Sequence, residues 1–495
     1  MFLLHLVAAG AGILWYLVYK VGAKHEDGIP TIRCWPAIFP KFFDRLSYNR
    51  HAVRLVRHGY EKYKHQPFRL LKMDMDLVVI PLKYALELRA VTSDKLDPLT
   101  ASFGDNAGKV TNILLGSELH THAIQRRLNP RLAQFLPILV DELNHAFGRA
   151  LPLDHAKNGW ISVNPYATVL DMATRASARL FVSEPICRND DFVETSASYS
   201  RNVFRTISTS RSLGHSITPY LGRWISTVQE ARRQMLYIQN LLLSEIGKRK
   251  DASQDIKRDD FLQWCIELAR TEEEAEPMAL GNRTLGILSM AVVHTTAMAT
   301  THMLFDMIAD QGLQEKLRKE QELVLKDGWA SITQQSMLDM KQLDSLMRES
   351  QRVNPVGEFT FRRLVRSPVT LSDGFQLQPG QQIGIAARCI NTDTDILPDA
   401  DLFMPLRWTE QESTVPTSFA NSSAANLHFG LGRYACPGRF FAAYLIKAIT
   451  SRILLEYDFK LKGDFPSGRP PNTIHGDKIL PNHTATILLR RRNGE

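Results

Sequence analysis

Cysteine is scarce in this chain, with five residues in 495, odd in number, far apart and without a C-x-x-C pair. That pattern excludes a disulfide framework and a structural zinc site, and makes a reducing compartment the simpler setting. No internal repeat and no low-complexity linker divides the chain, and its length suits a large single-domain enzyme. Basic runs interleaved with aromatic residues are also missing, so the formal net charge of +8 gives no support for nucleic acid as a partner. It suits an anionic membrane surface or an acidic protein instead.

Charge is almost absent from residues 2–21, which are apolar apart from His5 and Lys20 and long enough to cross a bilayer. Trp15, Tyr16, Tyr19, Lys20 and Lys24 put aromatic and cationic anchors at one end, which the positive-inside rule places in the cytosol. A cleaved signal peptide would carry a basic leading region and a small-residue cleavage site, and this stretch offers no clear site. Residues 1–21 are therefore expected to be an uncleaved, single-pass membrane anchor. Pro30, Pro36 and Pro40 mark 22–45 as a proline-rich hinge before a domain spanning 46–495. The sequons at Asn282, Asn421 and Asn482 would then be chance matches in a cytosolic domain.

Apolar residues recur at helical spacing over 52–64, 118–135, 166–181, 222–248 and 280–310, whereas strand-like segments are short and sit mainly at 68–81, 359–385 and 478–490. The fold class expected is mainly α with a small β region. Arg490 to Arg492 are expected as a short solvated tail.

Chemistry concentrates near the C-terminus, in Phe429-Gly430-Leu431-Gly432-Arg433-Tyr434-Ala435-Cys436-Pro437-Gly438-Arg439. A lone cysteine is usually a small buried hydrophobe. Here it lies in a glycine-rich loop just before a helical stretch over 440–455, where helix N-terminal donors can stabilise a thiolate. Such a thiolate can bind a haem iron. Glu349 and Arg352 stand three apart on one helix face, which in isolation would be a surface ion pair. Thr295 falls mid-helix, where a threonine commonly bonds back to its own backbone. His120 and His122 do not make a metal pair, because residues two apart on a helix face different ways.

The loop pattern F-G-x-G-x-x-x-C-P-G resembles the haem-binding signature of the cytochrome P-450 family. The resemblance covers essentially the whole chain after the anchor and implies the cytochrome P-450 fold, with haem b held by Cys436 as axial ligand. It implies packing of Phe429 against the sulfur and places Gly430, Gly432, Arg433 and Gly438 in the haem-binding loop. Tyr434 stands where many members have a propionate-binding Arg or His. Glu349 and Arg352 match the family's E-x-x-R helix, with Arg407 in Asp401-Leu402-Phe403-Met404-Pro405-Leu406-Arg407-Trp408 as third member of a buried triad. His122 and Arg126 resemble the propionate-binding W-x-x-x-R pair with His in place of Trp, and Arg362, ten residues beyond Arg352, is a further propionate candidate. In Ala291-Val292-Val293-His294-Thr295-Thr296, Thr295 matches the residue that organises oxygen and water, while His294 replaces the usual acid. His294 is either a proton relay or a core residue.

The implied activity is monooxygenation of a hydrophobic small molecule with O2 and NADPH-derived electrons. A cytochrome P-450 reductase would supply the electrons, with cytochrome b5 as an additional partner, at the cytosolic face of the endoplasmic reticulum membrane. Segments 97–115, 203–221, 287–298, 355–359 and 474–480 are expected to line the pocket, and they are mostly apolar. H-T-T together with H-F-G-x-G-R-x-A-C-P-G-R-F-F-A is similar to fungal secondary-metabolism members, including those acting on ent-kaurene-type and indole-terpenoid skeletons. A terpenoid or terpenoid hybrid is the favoured substrate, with polyketides and alkaloids as alternatives. An isomerase or dehydratase working without O2, or a non-catalytic haem sensor, are the competing classes.

Overall fold

The apolar spacing after residue 276 produces one continuous helix, Pro277–Ala309, on which the rest of the domain is built. This is a computed structural model describing residues 27–105, 117–151, 159–213, 224–251, 258–409 and 417–492. The anchor expected over 1–21 lies outside the described residues. Pro277 occupies the first turn, where a missing N–H costs nothing. At the other end the Asp310 carboxylate accepts from the Leu313 amide at 3.0 Å and starts the next helix. Pro277–Ala309 is long and apolar enough to span a membrane, yet 83 % of its apolar window is buried inside the protein, as in a core helix. Leu288, Met303 and Phe305 are fully enclosed, each worth roughly 1.5–3 kcal/mol of burial. Residues Ile287–Val293 form a π-helical stretch just before His294, a distortion that gathers at functional sites.

Two helices cover this central helix on one side, Pro165–Val182 and Asp190–Leu213. Asn164 caps the first of them, its side chain accepting from the Ala167 amide at 2.9 Å. Lys341–Val353 and Arg439–Glu456 pack on the other side and carry the E-x-x-R pair and the residues following Cys436. The buried Glu320 carboxylate starts Lys341–Val353 from outside, accepting from the Leu343 amide at 3.0 Å.

The β structure is small and marginal. A six-stranded sheet runs in the spatial order Thr31–Ile32, Phe68–Leu71, Asp76–Val79, Gln382–Ile385, Thr360–Val365, Leu96–Asp97. A second, of three strands, joins Tyr457–Leu461, Ile487–Arg491 and Ile161–Val163. Thr473–His475 and Lys478–Leu480 form a hairpin.

Two expectations are corrected here. The proline-rich stretch is, from residue 27 onward, part of the domain: Thr31–Ile32 joins the main sheet, and a helix begins at Lys41. Asp44 fixes it by accepting from Arg33 at 2.8 Å and from the Cys34 amide at 2.7 Å. Within 68–81, where short strand-like segments are expected, Phe68–Leu71 and Asp76–Val79 form an antiparallel pair turning at residues 72–75. Arg490 and Arg491 are strand residues rather than a solvated tail, and Arg490 pairs with Asp458 at 2.8 Å.

Candidate active site

Glu349 is the polar centre beneath the cavity. It is fully buried, and its two oxygens accept from Arg352 at 2.7 and 2.9 Å, Arg407 at 3.3 Å, Trp408 Nε1 at 3.1 Å and the Met404 amide at 2.9 Å. One carboxylate cannot neutralise two guanidiniums. Main-chain carbonyls take the excess donors: Arg352 reaches Asn391, Ala400 and Leu402, and Arg407 reaches Pro398, Asp399 and Leu402. The three residues expected as a triad are thus brought together, and they fasten the loop after Asn391 to the Lys341–Val353 helix. Trp408 and Met404 were not anticipated from the sequence; Trp408 adjoins the motif and was the readable signal.

The cysteine loop is held from behind. The Cys436 amide donates to the Phe429 carbonyl at 2.8 Å, and Asn129 Nδ2 donates to the Pro437 carbonyl at 3.0 Å. Gly432 has a φ of +73°, and a Cβ placed on it would stand 2.3 Å from the Arg89 carbonyl oxygen. The glycine therefore serves a close approach to protein backbone, with Arg433 N donating to that same carbonyl at 3.0 Å. Gly430 also has a positive φ, of +83°, whereas Gly438 opens the helix with free space where its side chain would be. Cys436 is exposed only in the sense that it opens onto a cavity; interior packing surrounds it. Burial pushes its thiol up, while the Gly438 and Arg439 amides and the Arg439 charge pull the other way, favouring the thiolate.

That cavity measures about 400 Å³. One wall is the central helix, presenting Ala291, Thr295 and Thr296; the facing wall presents Phe429, Tyr434 and Cys436. Pro98, Val356 and Phe359 also reach it, as expected for their segments, but no residue of 203–221 or 474–480 is among its described lining. The Thr295 hydroxyl donates back to the Ala291 carbonyl at 2.6 Å, which leaves its lone pairs toward the cavity. His294 is not in the wall. It faces the covering helices, where Nδ1 lies 2.6 Å from the Tyr166 hydroxyl and the ring meets Phe204 edge-on. Burial drives its pKa down to about 4, with Arg201 adding a smaller push, so it stays neutral.

The expected propionate ligands separate into two kinds. His122 and Arg126 sit where Leu119–Ala123 runs into the π-helical Ile124–Leu128; Arg126 is exposed, and neither is among the described lining residues. His122 has its pKa lowered by burial first and by Arg126 second. Arg362 reaches the cavity but turns its guanidinium to Met75 and to Gln382 Oε1 at 3.1 Å. Its neighbour Arg363 lies on the buried face of Thr360–Val365, over the Phe361 and Tyr434 rings at 4.3 and 5.3 Å. No carboxylate lies within ion-pair distance of Arg363 among the described residues, and burial lowers its pKa to about 10. Both arginines are among the cavity's lining residues, Arg362 partly buried and Arg363 buried, on a stretch whose register is broken by a bulge between Thr360 and Arg363.

These features fit a haem. A cavity of about 400 Å³ lies between Thr295 and the Cys436 thiol, and the buried Arg363 guanidinium beside it has no carboxylate partner among the described residues. Cys436 would ligate the iron and Arg363 would pair with a propionate.

Comparison with known proteins agrees. The Cytochrome P450 family model matches residues 50–485. Cytochrome P450 monooxygenase ltmP of Epichloe festucae var. lolii is 70 % identical over 99 % of this chain and 98 % of its own length. Cytochrome P450 monooxygenase idtP of Claviceps paspali is 66 % identical over the whole of both chains. At 40 % identity, Cytochrome P450 monooxygenase paxP of Penicillium paxilli matches 97 % of this chain and 94 % of its own. Among solved structures, retinoic acid-bound cyanobacterial CYP120A1 superposes with a TM-score of 0.70 at 17 % identity, over 94 % of this chain and 99 % of that one, a likeness of fold. With the family model spanning most of the chain and such relatives matching end to end, this chain belongs to the cytochrome P450 family and is a monooxygenase.

Proposed function

We propose that this monooxygenase oxidises a hydrophobic terpenoid, or a terpenoid hybrid, of fungal secondary metabolism. The observation that carries the reading is the end-to-end identity with fungal monooxygenases, joined to the H-T-T and cysteine-loop residues that resemble members acting on terpenoid skeletons. The dominance of apolar side chains in the cavity wall supports a hydrophobic substrate.

Haem, when bound, supplies the oxidising chemistry with O2 and two electrons. The chain supplies the rest. Cys436 would ligate the iron, with the Gly438 and Arg439 amides offsetting part of the burial that raises its thiol pKa. Arg363, over the Tyr434 ring, would pair with a propionate, and the resemblance makes His122 and Arg126 further candidates for that role. Thr295, whose hydroxyl donates to the Ala291 carbonyl, would accept a hydrogen bond from water at the opposite wall. The electrons come from NADPH through a cytochrome P450 reductase, with cytochrome b5 as an additional donor. The apolar residues 2–21 hold the domain at the cytosolic face of the endoplasmic reticulum membrane.

The test is turnover with reductase, NADPH and ¹⁸O2 on matched terpenoid, indole-terpenoid, polyketide and alkaloid substrates. One ¹⁸O atom in a terpenoid or hybrid product is the expected result. Turnover confined to a polyketide or alkaloid would overturn the substrate class.

A further inference from the structure

Arg363 is a buried guanidinium whose company is aromatic rather than acidic. Its Nη1 donates to the Arg362 carbonyl at 2.7 Å, and the carboxylate that acts on it from a distance, Asp97, is already bound by Arg366 at 2.6 Å. Two rings lie against it instead, Phe361 at 4.3 Å and Tyr434 at 5.3 Å, both within cation–π range. All three residues line the cavity, so the cluster belongs to its wall.

The backbone is irregular at the same place. Phe361 has a φ of +54°, a left-handed conformation that a bulky aromatic residue rarely adopts, and the register against Gln382–Ile385 breaks between Thr360 and Arg363. In a regular strand Arg362 and Arg363 would point to opposite faces; the irregularity lets both reach the cavity. Strain of this kind persists only where the surroundings hold it. Phe361 is buried in an apolar cluster that includes Leu427 and Leu431, beside the cysteine loop. The second ring comes from that loop itself, because Tyr434 closes the turn Gly432–Tyr434 just before Cys436.

We propose that Phe361 and Tyr434 are positioning residues, an aromatic clamp that fixes the Arg363 guanidinium in the cavity wall as the receptor for one carboxylate of the cofactor. The inference rests on the haem reading of the cavity and goes beyond it by giving Tyr434 a role through its ring. Tyr434 stands where the resemblance places a charged propionate ligand; in this chain its ring steadies a charge supplied by the strand. The exposed Arg433 lies 5.9 Å from the same ring and is the second cation drawn to it. Burial lowers the pKa of Arg363 only to about 10, so it carries its charge at neutral pH. A guanidinium already held in place gives up less side-chain freedom when its anion arrives.

The test is a double-mutant cycle on haem retention in the purified ferric holoprotein, read as the rate of haem transfer to apomyoglobin, with no turnover involved. Tyr434→Leu should speed haem loss about fivefold, and Tyr434→Phe, which keeps the ring and loses the hydroxyl, should stay within about twofold of the wild type. In the Arg363→Leu background Tyr434→Leu should add less than about twofold, since a residue acting through Arg363 then has nothing to position. Phe361→Leu should repeat the pattern from the other ring, and it carries the cycle if Tyr434→Leu does not load haem. Equal losses in Tyr434→Phe and Tyr434→Leu would make the hydroxyl the contact and overturn the clamp. Losses that multiply in the double variant would also overturn it, by showing that the ring packs independently of Arg363. A wild-type protein that carries no haem would overturn the haem reading, and the clamp with it, before any variant is compared.

Discussion

The network around Glu349 and the central helix across the cavity are built on opposite principles. Around Glu349 every charge is met: two guanidiniums, an indole N–H and a backbone amide converge on one buried carboxylate, and carbonyls take the remaining donors. Across the cavity, the central helix is locally π-helical, Ser289, His294 and Thr296 each hold a buried polar atom without a partner among the described residues, and Thr295 is bonded only to its own turn. The first arrangement has one low-energy geometry and suits a support for the axial cysteine. The second keeps hydrogen-bonding capacity in reserve, and of its residues Thr295 and Thr296 line the cavity, where water must move.

The comparison breaks most visibly if the rigid side is truncated. Glu349→Ala leaves Arg352 and Arg407 buried without their counter-charge, a loss of about 3–5 kcal/mol, and the purified variant should contain no haem. Haem loading at the wild-type level, read from the Soret absorbance per protein, would show that the network is not the support. A smaller effect is expected at the cavity edge. Arg363→Leu should weaken haem retention about tenfold in a competition with apomyoglobin, whereas Arg362→Leu should change it little, because Arg363 alone of the two is buried without a carboxylate. Equal losses in both variants would return the propionate role to Arg362. The mildest change belongs to the adaptable wall, where Thr295→Ala should leave folding and haem content intact and shift electrons from product to peroxide. Unchanged product per NADPH would remove Thr295 from the chemistry.

What the sequence made legible was local. The cysteine loop, E-x-x-R and the long apolar helix are each set by spacing within one element, and the structure assembles them as a unit. The short strands were harder, since a two-residue strand such as Thr31–Ile32 carries no periodicity of its own and is fixed by its neighbours. Tyr166 could not be read at all. It meets His294 across 128 residues, and nothing in either local pattern points to the other. Arg362 and Arg363 stand between these cases: counting from Arg352 led to a cavity-lining arginine, while the bulge between Thr360 and Arg363 that brings its neighbour to the same cavity has no local signal.

The central claim is that Cys436 is a haem thiolate ligand, and the direct measurement is the absorption spectrum of the purified, dithionite-reduced protein under carbon monoxide, for the wild type and Cys436→His. A strongly red-shifted Soret band in the wild type, absent from the variant, is the predicted result. A wild-type protein without haem, or with the same unshifted band as the variant, would contradict it.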